Sequence, residues 1–260
     1  MRLFGIIGFP LGHSFSQKHF TEKFEREHLA DHAYRKFELP DISMLQELLH
    51  REPDLCGFNV TIPWKVRVID YLDEIDPVAA EIGAVNTVKV TRRNGKAWLK
   101  GFNTDAPAFR ESLLNHLEPL PDSALVLGTG GASRSVIHTL TDLNIIAVTV
   151  SRQTVRGGYT YEDLPCHMIS EAGVIINTTP VGMAPDTEAM PPVDYSCLRE
   201  GQLLFDLIYN PPVTAFLSRG EEHGCITVNG EEMFLIQARL AWEIWNIEEK
   251  FPADHGKTEH

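Results

Sequence analysis

Apolar and polar positions alternate in short blocks along the chain, and the blocks read in turn as strands and helices. RLFGIIG (residues 2–8) predicts a strand and Ser16 to Glu27 a helix. AYRKFEL predicts a strand, Ser43 to His50 a helix and LCGFNV a strand that runs into Pro63, where a helix is expected to begin with Lys65 on its first turn. AVNTVKVTRR and KAWLKGF flank Asn94-Gly95, the strongest short hairpin signal, so the first unit is expected to hold a mixed sheet. NTDAPAFRESLLNHL starts a helix, with Pro107 suited to its first turn and Asp105 or Thr104 to its cap.

EPLPDS breaks this helix and makes Pro119 to Ser123 a plausible boundary. A second alternating unit follows. ALVLG is a strand, Gly131 to Leu143 a helix, and IIAVTVS, GVIINTT and QLLFDL are strands. Val213 to Glu222 is a helix, CITV a strand, and Glu231 to Glu249 a long last helix before a tail expected to fray. Alternating strands and helices predict an α/β layered architecture.

Composition adds little to the fold and more to the partners. In 260 residues, 43% are hydrophobic and 23% charged, ordinary for a globular chain that buries its own core. The net charge of −13, without a basic patch, argues against nucleic acid and against a polybasic membrane anchor. An anionic small molecule stays compatible, because helix N-termini and local cations bind anions against an unfavourable overall field. The four cysteines, Cys56, Cys166, Cys197 and Cys225, contain no C-x-x-C pair, so reduced thiols in a cytosolic protein are expected, with neither a zinc site nor a disulfide framework. MRLFGIIGFP is expected to be a first strand rather than a signal peptide, and no apolar run approaches the ~20 residues of a membrane span.

ALVLGTGGASRSVIHTL is a strand, a glycine turn and a helix. Gly128 and Gly130 fill two positions of G-x-G-x-x-G, and Ser133 replaces the third glycine. Such glycines let the backbone approach a pyrophosphate, which then sits on the helix N-terminus; a plain strand-to-helix turn is the bland alternative. An NAD site would place an acid at the end of the next strand. Ser151, Arg152 and Arg156 stand there instead, and a guanidinium suits a 2′-phosphate, so NADP is expected. Two solvated arginines would look the same.

Ser14, Ser16, Asn59, Thr61, Lys65, Asn86 and Asp105 lie at predicted strand ends, where open α/β sheets bind ligands. Hydroxyls and amides suit a polyhydroxylated acid. Each also has a structural reading: Ser14 with Gln17 makes a capping box, Asp105 caps a helix, and the asparagines tie loops.

Over nearly its whole length the sequence resembles the shikimate dehydrogenase family, on GFPLGHSFSQKHF, GFNVTIPWK, GAVNTV, GFNTD, GTGGASRSV, INTTPVGM, FDLIYNPPVTAF and NGEEMFLIQA. The resemblance implies a substrate domain over residues 1–105, a Rossmann-type NADP-binding domain over 106–230, and a last helix, 231–250, that returns to the first. It implies NADPH-dependent reversible reduction of 3-dehydroshikimate to shikimate, a step toward aromatic amino acids, by a cytoplasmic monomer or homodimer.

Lys65 and Asp105 are then the catalytic pair, and Ser14 and Ser16 hold the substrate carboxylate. Asn59, Thr61, Asn86, Tyr209 and Gln237 face the ring. Gly128, Thr129, Gly130, Gly131, Ala132, Ser151, Arg152, Arg156, Leu207 and Gly230 line the cofactor. The chain departs from the family at Gln17 and Phe20, usually proline and asparagine; at Ser151 and Gln153, commonly asparagine and threonine; and at Ala106, usually glycine. A quinate-using relative and a non-catalytic metabolite sensor are the competing readings.

Overall fold

A computed structural model describes residues 1–12, 15–154 and 156–247. Its first sheet is formed by β1 (Arg2–Gly8), β2 (His32–Glu38), β3 (Leu55–Val60), β4 (Glu74–Ile75), β5 (Thr87–Arg93) and β6 (Lys96–Phe102), in the order β2-β1-β3-β5-β6-β4. β1 is parallel to β2 and β3, and β5 is antiparallel to β3 and β6, so the sheet is mixed. Asn94 and Gly95 both take positive φ, as the two-residue hairpin turn between β5 and β6 requires.

Helices α1 (Phe15–Arg26), α2 (Leu45–Arg51) and α3 (Pro77–Ile82) make the connections around this sheet. Successive strand residues face opposite ways. Leu3 therefore packs with Leu45, Leu48, Leu55 and Phe58, while Phe4 packs with Phe20, Phe24 and Tyr34 on the other side.

α4 (Asp105–His116) leads into the second sheet. Its strands are β7 (Ser123–Leu127), β8 (Ile146–Ser151), β9 (Tyr159–Thr160), β10 (Val174–Asn177), β11 (Leu203–Asp206) and β12 (Ile226–Val228). They are parallel, in the order β12-β11-β10-β7-β8-β9. The order reverses at β7, which is the switch point of a doubly wound dinucleotide fold. Helices α5 (Gly131–Asp142), α6 (Cys166–Glu171) and α7 (Ala215–Glu222) complete this half.

The last helix, α8 (Glu231–Asn246), serves both sheets. Met233 and Ile236 pack with Phe109, Val126 and Phe205 of the second core. Further along, Ala238, Ala241 and Trp245 pack with Phe4 and Phe20 of the first, and Trp245 Nε1 donates to Val88 O at 3.0 Å.

Three local expectations are corrected. No helix starts at Pro63: a turn with a cis Ile62–Pro63 peptide carries Trp64 and Lys65, and a 3-10 turn follows at Arg67–Tyr71. The Lys65 carbonyl accepts from Val85 N at 2.7 Å, and the buried Trp64 Nε1 donates to Leu39 O at 2.9 Å, so tertiary bonds replace the helical ones. Neither Thr104 nor Asp105 caps α4 with its side chain; Asn103 Oδ1 accepts from Ala106 N at 2.9 Å instead.

The cysteines are the third correction. Cys166 and Cys197 form a disulfide with Cα atoms 5.4 Å apart, and Cys56 and Cys225 are free. The start of α6 and the 3-10 turn Tyr195–Cys197 meet beneath the second sheet, a proximity that a 31-residue separation does not advertise. The patterning also missed β4, α3, β9 and α6, all short. Among the described residues no helix is long and apolar enough to cross a membrane.

Candidate active site

The polar residues at the carboxyl ends of β3 and β6 and at the amino end of the antiparallel β5 converge on one buried cluster. Lys65 Nζ donates to Asp105 Oδ2 at 2.6 Å, and the two side chains are only 16% and 7% exposed. The pair is thus largely screened from water, where it is stronger than a surface ion pair. The other carboxylate oxygen, Asp105 Oδ1, accepts from Asn86 Nδ2 at 2.8 Å. Asn86 Oδ1 accepts from the Thr104 backbone N at 2.7 Å, which fixes the amide's orientation. Thr104 is the residue before α4, so this bond also fixes where Asp105 enters the cluster.

Asn59 is buried beside Asn86. Its Oδ1 accepts from the Tyr34 hydroxyl at 2.8 Å, and its Nδ2 donates to Asn86 O at 3.4 Å and Thr87 Oγ1 at 3.3 Å. Ser16, buried on the first turn of α1, acts on the same Tyr34 hydroxyl. Burial pushes the Tyr34 phenol well up from its ordinary range, so it stays a neutral donor. Thr61 follows β3 with its N–H on Ile7 O at 2.9 Å and its side chain half-exposed. Ser14 lies outside the described residues.

Tyr209 reaches this half from the loop after β11. Its ring stands edge-on to Phe15 at 5.1 Å and stacks on Phe234 at 4.8 Å. Burial pushes its phenol up to about 12. Gln237, half-buried, is three residues past Phe234 on α8 and so shares its face.

Across the cleft, Gly128 follows β7 with φ +114, and a Cβ there would lie 2.7 Å from Thr178 Oγ1. Only glycine suits that turn. Gly130 is the N-cap of α5, and a Cβ on it would meet open space. Thr129 and Gly130 are exposed and Ala132 half-buried, so the start of α5 offers unpaired N–H groups to an anion. This cradle fits a pyrophosphate. Gly131 differs: a Cβ there would lie 2.7 Å from Lys65 Cβ, so the turn packs on the lysine stem.

Ser151 ends β8 buried. Its hydroxyl donates to Gln153 O and accepts from Gln153 N at 3.3 Å, forming a turn that leaves Arg152 exposed. Arg156 is exposed further along the same connection. Leu207 and Gly230 meet each other, since a Cβ on Gly230 would lie 2.1 Å from Leu207 O.

The residues the sequence pattern missed are Tyr34, Thr87 and Thr104, which complete the buried cluster, and the Asn177–Asp206–Thr214 network, which ties β10 and β11. Asp206 Oδ1 accepts from Asn177 Nδ2 at 3.1 Å and Ile208 N at 3.0 Å, and Oδ2 accepts from Thr214 Oγ1 at 2.6 Å. For Asn177 and Asp206 the available signal was a polar residue ending an otherwise apolar strand.

A doubly wound sheet, a glycine turn at its switch point and a buried lysine–carboxylate pair packed on that turn define a two-sheet, dinucleotide-dependent oxidoreductase. Residues 6–88 match the family model of the shikimate dehydrogenase substrate binding domain. A shikimate dehydrogenase (NADP(+)) of Bacillus cereus (strain 03BB102) is 38% identical over 94% of this chain and 92% of its own. Shikimate dehydrogenase 1 of Peptoclostridium difficile superposes with a TM-score of 0.81 at 33% identity, covering 94% of this chain and 91% of that one. Shikimate 5-dehydrogenase of Thermus thermophilus, solved with NADP(H) and shikimate, superposes with a TM-score of 0.82 at 32% identity, covering 95% and 94%. The chain belongs to the shikimate dehydrogenase family.

Proposed function

We propose that this protein is an NADP-dependent dehydrogenase that interconverts 3-dehydroshikimate and shikimate, on the route to aromatic amino acids. The observation that carries this is the Lys65–Asp105 pair, buried at 2.6 Å and packed on the glycine turn at the start of α5. NADP(H), held on the N-terminus of α5 by Thr129 to Ala132 with Arg152 and Arg156 toward its 2′-phosphate, supplies or accepts hydride.

The protein's own work is at the proton. The Lys65 ammonium donates to the substrate oxygen as it becomes an alkoxide, and it recovers a proton when the reaction runs in reverse. Asp105 fixes the direction of the ammonium, and Asn86 holds Asp105. Ser14 and Ser16 supply hydroxyls for the substrate carboxylate, and Asn59, Thr61, Gln237 and Tyr209 bound its ring. Residues 1–105 with the returning α8 form the substrate unit, and 106–230 the nucleotide unit.

NADPH absorbance after mixing enzyme, shikimate and NADP tests the activity, with quinate and NAD as parallel arms. Lys65→Ala is expected to cut turnover by roughly 10²–10⁴. Near-normal turnover in that variant rules out Lys65 as the acid.

A further inference from the structure

The buried cluster is a chain of hydrogen bonds that runs one way, and its far end is Tyr34. Two backbone groups, whose roles cannot reverse, set its direction. Thr104 N–H must donate, so Asn86 presents Oδ1 to it at 2.7 Å and turns Nδ2 toward Asp105. Asn86 C=O must accept, so Asn59 turns Nδ2 toward it at 3.4 Å and presents Oδ1 to Tyr34. Between the two amides, the Thr87 hydroxyl accepts from Asn59 Nδ2 at 3.3 Å and lies 3.4 Å from Asn86 Oδ1 and 3.1 Å from Thr104 Oγ1. Protons therefore point from Tyr34 to Asn59 and from Asn59 to Thr87; the Thr87 hydroxyl reaches Asn86 Oδ1 directly at 3.4 Å or by way of Thr104 Oγ1, and Asn86 Nδ2 donates to Asp105, which also receives Lys65. Tyr34, Asn59, Asn86 and Thr87 are 4%, 5%, 3% and 0% exposed, so water does not substitute for a lost member.

We propose that Tyr34 is a positioning residue of the active site, acting through Asn59, Thr87 and Asn86 on the Lys65–Asp105 pair. This rests on the functional reading above. Phe20 stacks on the Tyr34 ring at 4.7 Å with an interplanar angle of 10°, so the phenol is held in place by packing as well as by its hydrogen bond. Without that hydroxyl, Asn59 Oδ1 is left buried and unbonded. Flipping the amide does not help, because it sets Oδ1 against the Asn86 carbonyl, acceptor against acceptor. The relief open to the site is a shift of the β3 end that carries Asn59 toward Thr61.

Tyr34→Phe keeps the ring and removes one oxygen; Thr87→Val removes the middle link. Each is expected to lower kcat/KM for shikimate by about 10-fold, the effect of stranding one buried polar group, while KM for NADP stays unchanged. A purely structural role would lower the melting temperature without that split. A crystal structure of Tyr34→Phe reads the same point without turnover: displacement or flipping of Asn59 is expected. Shikimate kcat/KM within about 2-fold of wild type in both folded variants, or an unmoved Asn59 in the structure, overturns the proposal. A wild type that does not turn over shikimate in the same assay refutes the functional reading instead, and the Asn59 comparison still decides the positioning role.

Discussion

The stem of Lys65 lies across Gly131 so closely that a methyl group on Gly131 would sit 2.7 Å from Lys65 Cβ and 3.3 Å from its Cδ. The first contact is with the carbon nearest the backbone, which a rotamer change cannot move away. Gly131 is therefore required by the lysine. Gly131→Ala is expected to push the two walls of the cleft apart and to lower kcat by roughly 10–100-fold, as misplacement by about 1 Å does. Gly130→Ala, whose Cβ meets open space, is expected to act on KM for NADP instead. Steady-state kinetics of the two variants check this; equal effects on kcat would refute it.

Arg152 is held out from the end of β8 by the Ser151–Gln153 turn. Arg152→Ala is expected to raise KM for NADP by about 10–100-fold, the range for one charge-assisted hydrogen bond, and to leave KM for NAD unaltered. Parallel titrations with both nucleotides measure it. A proportional loss with both would place the arginine elsewhere in the cofactor's surroundings.

The Cys166–Cys197 bond closes a 31-residue loop that includes β10 and the long connection after it. Restricting the unfolded chain in this way stabilises the fold by about 3–4 kcal/mol. Guanidinium unfolding with and without a thiol reductant is expected to show that loss, and the Cys166→Ser, Cys197→Ser double variant should match the reduced protein. An unmoved midpoint in both would mean the crosslink adds nothing.

Burial pushes the Asp206 carboxyl up from 3.8 to about 6, against three donors that favour its charged form. Its pKa is higher folded than unfolded, so the associated stability is fully present below about pH 4 and is lost as pH rises through about 6. The shift corresponds to roughly 3 kcal/mol. Wild type is expected to lose stability relative to Asp206→Asn between pH 4 and 7 and to run parallel to it above that. Melting temperatures across this range decide the matter, and a constant gap would contradict it.

Local chemistry made much of this legible before any coordinates. The glycine turn of Gly128 to Gly131 is written between a strand and a helix, and Asn94-Gly95 names its own hairpin. Lys65 and Asp105, forty residues apart in sequence, could be paired because both follow strands of one sheet and because the family resemblance joins them. Tyr34 could not be read this way. In the sequence it is an ordinary aromatic residue in a strand; only the register of β2 on β1 and of β1 on β3 brings it beside Asn59. The helix expected at Pro63 failed because local propensity lost to two tertiary bonds, at Trp64 and at the Lys65 carbonyl. The disulfide was missed because its cysteines carry no spacing signature.

The chain passes between its two sheets twice, outward along α4 and back along α8, and these crossings are stapled side by side. Glu232 of α8 accepts from Ser112 at 2.6 Å and Asn115 at 2.8 Å of α4, with His116 at 3.1 Å, and Arg239 of α8 reaches Glu111 at 3.1 Å. The second sheet is thus an insertion whose entry and exit are tied to each other, so the chain leaves and rejoins the first sheet's half at one place.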